Sequence, residues 1–560
     1  MEEHANRRVL VIGWDGGTWV VFRPLVDRGL MPHLESLMHR GRWGTLESTI
    51  PYLTPVAWTT LLTGLTPQRH GIIGFNEKCF VGDAVLGGEK ELTPVSARSV
   101  RFPTVLDFFG QAGRRVMSVN VPVTYPPRPV NGILVTGMMT PRGAKQFTWP
   151  PELKNELTDY VINLQQRRKI FRSSKQEYEG QVRRWTAVMK QRTETICRLG
   201  REHAWEFAIA ILVATDRIFH RTWPLLEEYL ARGEARTGVD RALETFFREL
   251  DASLGTICSA FPDALVMLVS DHGFGPRLEH AVYPNVCLEA NGFLFRRKRP
   301  VKTSPVMRAA AGCRRAVRRV IETMFSRRLV WKLLAKMEAR EVRVLRSLDP
   351  ERTVAHFVNV DNGTFGAVRL HGETTDAMSE TERGKLVDDI IAACRTMTDP
   401  ETGERITVDV ARAEKYFPNP TVDHLPEIVI RFREGYTGRV DPLETELVKG
   451  SPASPDGWHR AEGMYLIAGE PVTPGGESAK MHLADVAPTA LYLAGLPVPA
   501  SMQGDVPLSC FDEAYVRTHP VASREEAEER PRRKEPSKKV YTPEQERTIR
   551  DHLRGIGYLD

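Results

Sequence analysis

The sequence predicts an α/β fold: a doubly wound, mainly parallel sheet flanked by helices, with inserted helical cap segments. Three observations lead there. Residues 9–13, 206–213 and 264–269 are short, almost uninterrupted apolar runs, the pattern of strands buried on both faces. Helical patterns separate these runs, the alternation that builds parallel β-α-β units. Each run also leads into an aspartate, Asp15, Asp216 or Asp271, at the strand end where open α/β sheets place their ligands. A single aspartate there reads equally well as a helix cap, but three in turns of different sequence are hard to explain by capping.

The chain has 560 residues, too many for one ordinary core, and its 41% hydrophobic and 26% charged content is that of a globular protein. A net charge of +6 is modest for this length, so specific nucleic-acid binding is not expected. Seven cysteines are scattered and odd in number, which argues against a disulfide framework and a cysteine-ligated zinc, and fits a reducing compartment. An apolar signal region is not seen ahead of the first strand, nor a run of about 18 apolar residues, so the expectation is a cytoplasmic, soluble protein.

Residues 1–295 read as the first part of the core. A helix at 30–39 leads to a strand at 41–47, then to the stretch 51–64, a helix at 103–112 and strands at 115–121 and 132–136. The polar helical pattern within 145–203 reads as a cap. His220 follows Asp216 by four residues, so on a helix the two share a face. A long amphipathic helix spans 236–261.

Residues 296–346 then change character, with seventeen basic residues against three acidic ones. Apolar residues such as Val317, Ile321, Phe325 and Leu329 recur at helical spacing. This predicts basic amphipathic helices, first as the solvated face of a cap and second as a surface for an anionic membrane, a nucleic acid or an acidic substrate. Residues 347–515 read as the second part of the core, with strands at 365–370, 426–432 and 463–469 and a glycine-hinged loop, Asp456-Gly457-Trp458-His459. Residues 516–560 read as a charged linker and a C-terminal helix starting at Pro543.

Thr54 stands before Pro55, where a proline can open a helix, so its hydroxyl is expected at a helix N-terminus that favours a developing anion. Alone it would be an ordinary N-cap. In company with Asp15, Asp216, His220, Asp271, His272 and His459 it becomes a candidate nucleophile. Three carboxylates and three imidazoles suit two borderline divalent cations, most readily zinc, with manganese or another divalent ion also compatible. Two such ions would activate the hydroxyl and clamp an in-line displacement at phosphorus or sulfur. The expected substrate is therefore a small anionic phosphoester. Ser48, Thr49 and Thr59 are weaker nucleophile candidates, and His70 and His280 read as structural.

The order Asp15, Thr54, Asp216-x-x-x-His220, Asp271-His272-Gly273, His459 resembles the alkaline phosphatase superfamily, in particular its type I phosphodiesterase/nucleotide pyrophosphatase branch. Thr63-Gly64, His70-Gly71-Ile72 and Asp485-Val486-Ala487-Pro488-Thr489 belong to the same resemblance, which spans about residues 8–510. It implies that Asp216, His220 and His459 hold one metal and Asp15, Asp271 and His272 the other, with Thr54 bridging. It also implies a covalent phospho-enzyme and cleavage of phosphodiester or pyrophosphate bonds. The branch often carries an asparagine three residues after the nucleophile, where this chain has Ala57. The alternatives are a phosphomonoesterase or phosphomutase of the same superfamily, or a catalytically weak metal-binding regulatory protein. A cysteine-based sulfatase is excluded, because none of the cysteines has the required Pro and Arg after it.

Overall fold

The computed structural model describes residues 7–77, 93–157, 159–164, 174–277, 280–296, 348–359, 363–420, 425–441, 444–450, 457–524 and 540–556. The basic segment 296–346, apart from Arg296, lies outside the described residues, as do linker residues 525–539.

Val9–Trp14 is buried at every position and carries a parallel neighbour on each side, Phe207–Leu212 and Leu265–Val269. An unbroken apolar strand has no solvent face to offer, so it takes the middle of the sheet. Val116–Val121 and Gly132–Thr136 extend the parallel set on one side. On the other side Glu462–Ala468 runs antiparallel between Leu265–Val269 and Gly41–Glu47. Ten strands complete the sheet. Helices flank it in two groups: Trp19–Asp27, Pro32–Arg40, Lys175–Glu202, Ala214–Arg232 and Gly238–Ala260 contact one another, while Thr54–Thr63, Val105–Gln111 and Val486–Leu493 form the second. The doubly wound α/β class is the observed one.

Two parts of the expected organisation differ. Lys175–Glu202 is not a detached cap: it opens with a Ser174/Glu177 capping box and packs along Gly238–Ala260. Val182, Trp185, Met189 and Ile196 join the main core. In a helix this polar overall, one narrow buried stripe is easily masked by charge. The stretch 347–450 likewise does not rejoin the main sheet. Ala355–Asn359, Phe365–Leu370, Ile428–Phe432 and Thr407–Arg412 form their own antiparallel sheet. It has a separate core of Phe357, Val368, Ile390, Val410 and Ile430 under helix Glu380–Arg395. A short apolar strand looks the same in either sheet, so the pattern could not assign its neighbours. The chain returns to the site only at Gly457–Arg460. Among the described residues, no helix is long and apolar enough to cross a membrane.

Candidate active site

Three strand ends deliver the carboxylates. Asp15 follows Val9–Trp14 directly, its amide donating to the Leu212 carbonyl at 3.2 Å. Phe207–Leu212 passes through Val213 into helix Ala214–Arg232, which holds Asp216 in its first turn and His220 one turn on. Asp271 and His272 follow Leu265–Val269. His459 comes from much further along the chain. Its strand pairs antiparallel with Gly273–Pro276, and its ring stacks on that of His272 with centroids 3.7 Å apart. Glycines allow this approach: a Cβ on Gly273 would lie 1.9 Å from the Glu462 carbonyl oxygen, and one on Gly457 2.7 Å from that of Phe219.

The three imidazoles are oriented in the same way. His220, His272 and His459 each donate Nδ1–H to a backbone carbonyl, of Gly457 at 3.1 Å, Gly273 at 3.0 Å and Tyr52 at 3.1 Å. A carbonyl can only accept, so Nδ1 bears a hydrogen, and in its neutral form each ring turns an Nε2 lone pair inward. Those Nε2 atoms lie 3.2, 4.0 and 3.4 Å from Asp216 Oδ1 for His220, His272 and His459. Backbone carbonyls that fix the tautomer in this way are the usual outer partners of metal-ligating histidines.

The carboxylates are no more than 1% exposed. Asp271 Oδ1 accepts from the Gly16 amide at 3.0 Å, and Trp58 Nε1 donates to Asp15 Oδ2 at 3.3 Å. Asp15 Oδ1, Asp271 Oδ2 and His272 Nε2 have no hydrogen-bond partner among the described residues. Burial, reinforced by the Asp216 charge, raises the Asp15 pKa well above the usual carboxylate range; burial and then Asp15 do the same to Asp271. At Asp216 burial pushes upward, but His220 and Arg217 outweigh it and hold the carboxyl well below that range. Burial lowers His459 to about 4, and burial together with His459 lowers His272. Buried orphan oxygens beside inward-facing lone pairs are the donor set of a divalent cation. Asp216, His220 and His459 place ligand atoms within 4.8 Å of one another, as do Asp15, Asp216 and His272. Asp216 thus belongs to both groups, and Asp271 reaches the second through His272 Nε2 at 3.3 Å from its Oδ2.

Thr54 is the first residue of helix Thr54–Thr63, with Leu53 as its cap, so the helix starts one position earlier than the sequence suggested. The Val56 and Ala57 amides both donate to the Leu53 carbonyl, and Pro55 has none to give. The helix therefore offers an anion its dipole rather than a row of open donors. Of the other nucleophile candidates, Ser48 donates to the Asp271 carbonyl at 2.6 Å and Thr59 to that of Pro55 at 2.7 Å. His70 is structural: its Nδ1 accepts from the Ile72 amide at 3.1 Å and its Nε2 lies 3.0 Å from Thr60 Oγ1. His280 lies against Tyr436 in a separate three-stranded sheet.

Sequence reasoning missed Arg217. It is 2% exposed, and its Nη1 lies 3.1 Å from Asp216 Oδ2, holding the ligand oxygen that faces away from the histidines. Its position next to Asp216 was the available signal.

An alkaline phosphatase-like sheet with such a cluster at its strand ends defines a metal-dependent hydrolase of phosphoric ester bonds. The chain belongs to the type I phosphodiesterase/nucleotide pyrophosphatase family, whose sequence model matches residues 9–452. His459 lies beyond that match, and the geometry brings it to Asp216 and His272. Among solved structures, phosphonoacetate hydrolase from Sinorhizobium meliloti 1021 in complex with phosphonoformate is 15% identical with a TM-score of 0.53, covering 87% of this chain and 96% of that one. Its phosphonoacetate complex gives 14% and 0.52, with the same coverage. Murine ectonucleotide pyrophosphatase/phosphodiesterase 5 is 12% identical with a TM-score of 0.47, over 90% of this chain and all of that one. At these identities the likeness is one of fold. No curated protein sequence matches the chain at a significant level.

Proposed function

We propose that the chain cleaves phosphodiester or pyrophosphate bonds with Thr54 as nucleophile and two divalent cations, of the zinc class, as cofactors. The observation that carries this reading is the common orientation of His220, His272 and His459, whose Nε2 atoms converge on the buried Asp216, with His272 also reaching Asp15 and Asp271. Asp216, His220 and His459 would hold one cation and Asp15, Asp271 and His272 the other, with Thr54 as a further ligand. When bound, the cations supply Lewis acidity and neutralise charge on the phosphoryl oxygens.

The protein's own groups do the rest. Thr54 Oγ1 loses its proton and bonds to phosphorus, while the bond from phosphorus to the leaving oxygen breaks and that oxygen gains a proton. Water then attacks the phosphoryl group on Thr54, releasing the phosphate product and restoring the hydroxyl. The Thr54–Thr63 helix dipole favours the developing negative charge. Pro55, Val56, Ala57 and Trp58 exclude water around Thr54, and all four are buried.

These apolar surroundings favour a diester monoanion over a monoester dianion, since Arg217 is turned to Asp216. Hydrolysis of bis(p-nitrophenyl) phosphate should exceed that of p-nitrophenyl phosphate. A strong preference for the monoester would overturn the diesterase reading in favour of a phosphomonoesterase.

A further inference from the structure

Helix Pro543–Ile556 lies beyond the stretch matched by the family model, yet it packs into the walls of the site. Tyr541, Ile549 and Leu553 share one apolar cluster with Leu53 and Val56, which flank Thr54, with Trp458, which precedes His459, and with Met138. The Tyr541 hydroxyl lies 3.1 Å from both the Val95 and Met139 carbonyl oxygens, and its ring stacks on Tyr125 with centroids 5.8 Å apart. Met138 Sδ accepts from Arg217 Nη2 at 3.9 Å, on the same guanidinium that holds Asp216. A buried phenol in contact with two carbonyls and two large apolar anchors mark a firmly docked element rather than a loosely seated plug.

We propose that segment 540–556 is a positioning element of the phosphoester site. Its apolar face fixes the turns that carry Thr54 and His459, and holds Met138, whose sulfur accepts from the Arg217 guanidinium beside Asp216. The segment acts through these residues and touches no substrate. This inference rests on the reading of Thr54, Asp216 and His459 as the reactive centre.

The test uses two full-length variants. Leu553→Asp places a charge in the apolar cluster and undocks the helix, which trypsin sensitivity of the segment will register. Tyr541→Phe removes only the hydroxyl that reaches the Val95 and Met139 carbonyls. For each, kcat and KM on bis(p-nitrophenyl) phosphate, the chelator concentration that halves activity, and Tm are measured. Loss of an outer-shell support lowers activity or metal affinity ~10–100-fold. Leu553→Asp should show that fall in kcat and in chelator resistance with little change in KM. Tyr541→Phe should move the same way by less, with Tm near wild type. If Leu553→Asp does not fold, Tyr541→Phe and Ile549→Ala decide. Unchanged kcat and chelator resistance in the folded variants would overturn the proposal. So would a raised kcat in Leu553→Asp, which would make the segment a plug. A wild-type chain without metal-dependent diesterase activity would instead refute the underlying site reading.

Discussion

His220 and His459 meet Nε2 to Nε2 at 3.1 Å. Both rings have given their Nδ1 hydrogens to carbonyls, so the two nitrogens turn lone pairs toward each other, an arrangement that a shared cation resolves. Removing the metal should therefore lower stability as well as activity. A cation at 100 times its Kd stabilises the folded chain by ~2.7 kcal/mol. Tm should fall with EDTA and recover when zinc is restored; a Tm indifferent to both would refute the metal reading.

Thr54→Ala should abolish turnover and leave bound metal nearly intact, because six other ligands remain. Metal content by mass spectrometry and turnover of a diester check this together. Near-normal activity would move the search to Ser48, Thr49 and Thr59.

His459→Ala and Asp216→Ala should differ. Asp216 Oδ1 lies within 4.0 Å of all three imidazole Nε2 atoms, whereas His459 belongs to only one ligand group. The expected outcome is about one ion per chain after loss of His459, and less than one after loss of Asp216. Equal retention would show that the two groups do not share Asp216.

His70 should make stability depend on pH. Burial lowers its pKa from 6.5 to about 3, so the folded chain binds fewer protons than the unfolded chain between those values. Its contribution is complete above the unfolded pKa and is lost as pH falls toward about 3, to a limit of roughly 5 kcal/mol from a full buried shift. Denaturant unfolding of wild type and His70→Gln between pH 6.5 and 4 tests this: the variant's curve should be flatter, and parallel curves would refute it.

Much of this architecture was legible because strand ends are marked by composition. Val9–Trp14, Phe207–Leu212 and Leu265–Val269 are apolar throughout and lead toward Asp15, Asp216 and Asp271, so run and acid together indicated both sheet and site. Arg217 was not legible in its role, because a charged residue beside a carboxylate shows nothing of which way it turns. The four-stranded sheet around Phe365–Leu370 was missed because strand pairing is a long-range choice that local pattern does not encode. The C-terminal helix from Pro543 was legible but its docking was not: its partners Leu53 and Met138 lie hundreds of residues away.

Glu462–Ala468 fills the gap between Gly41–Glu47 and Leu265–Val269, two strands from the first half of the chain. During synthesis both have emerged long before their partner exists. At 5–20 residues per second, the roughly 200 residues separating Leu265–Val269 from Glu462–Ala468 take ~10–40 s to be made. Throughout that interval the nascent chain exposes two bare edges of apolar sheet, the kind of surface on which chains aggregate. The group of Asp216, His220 and His459 is completed in the same late stretch, which supplies His459.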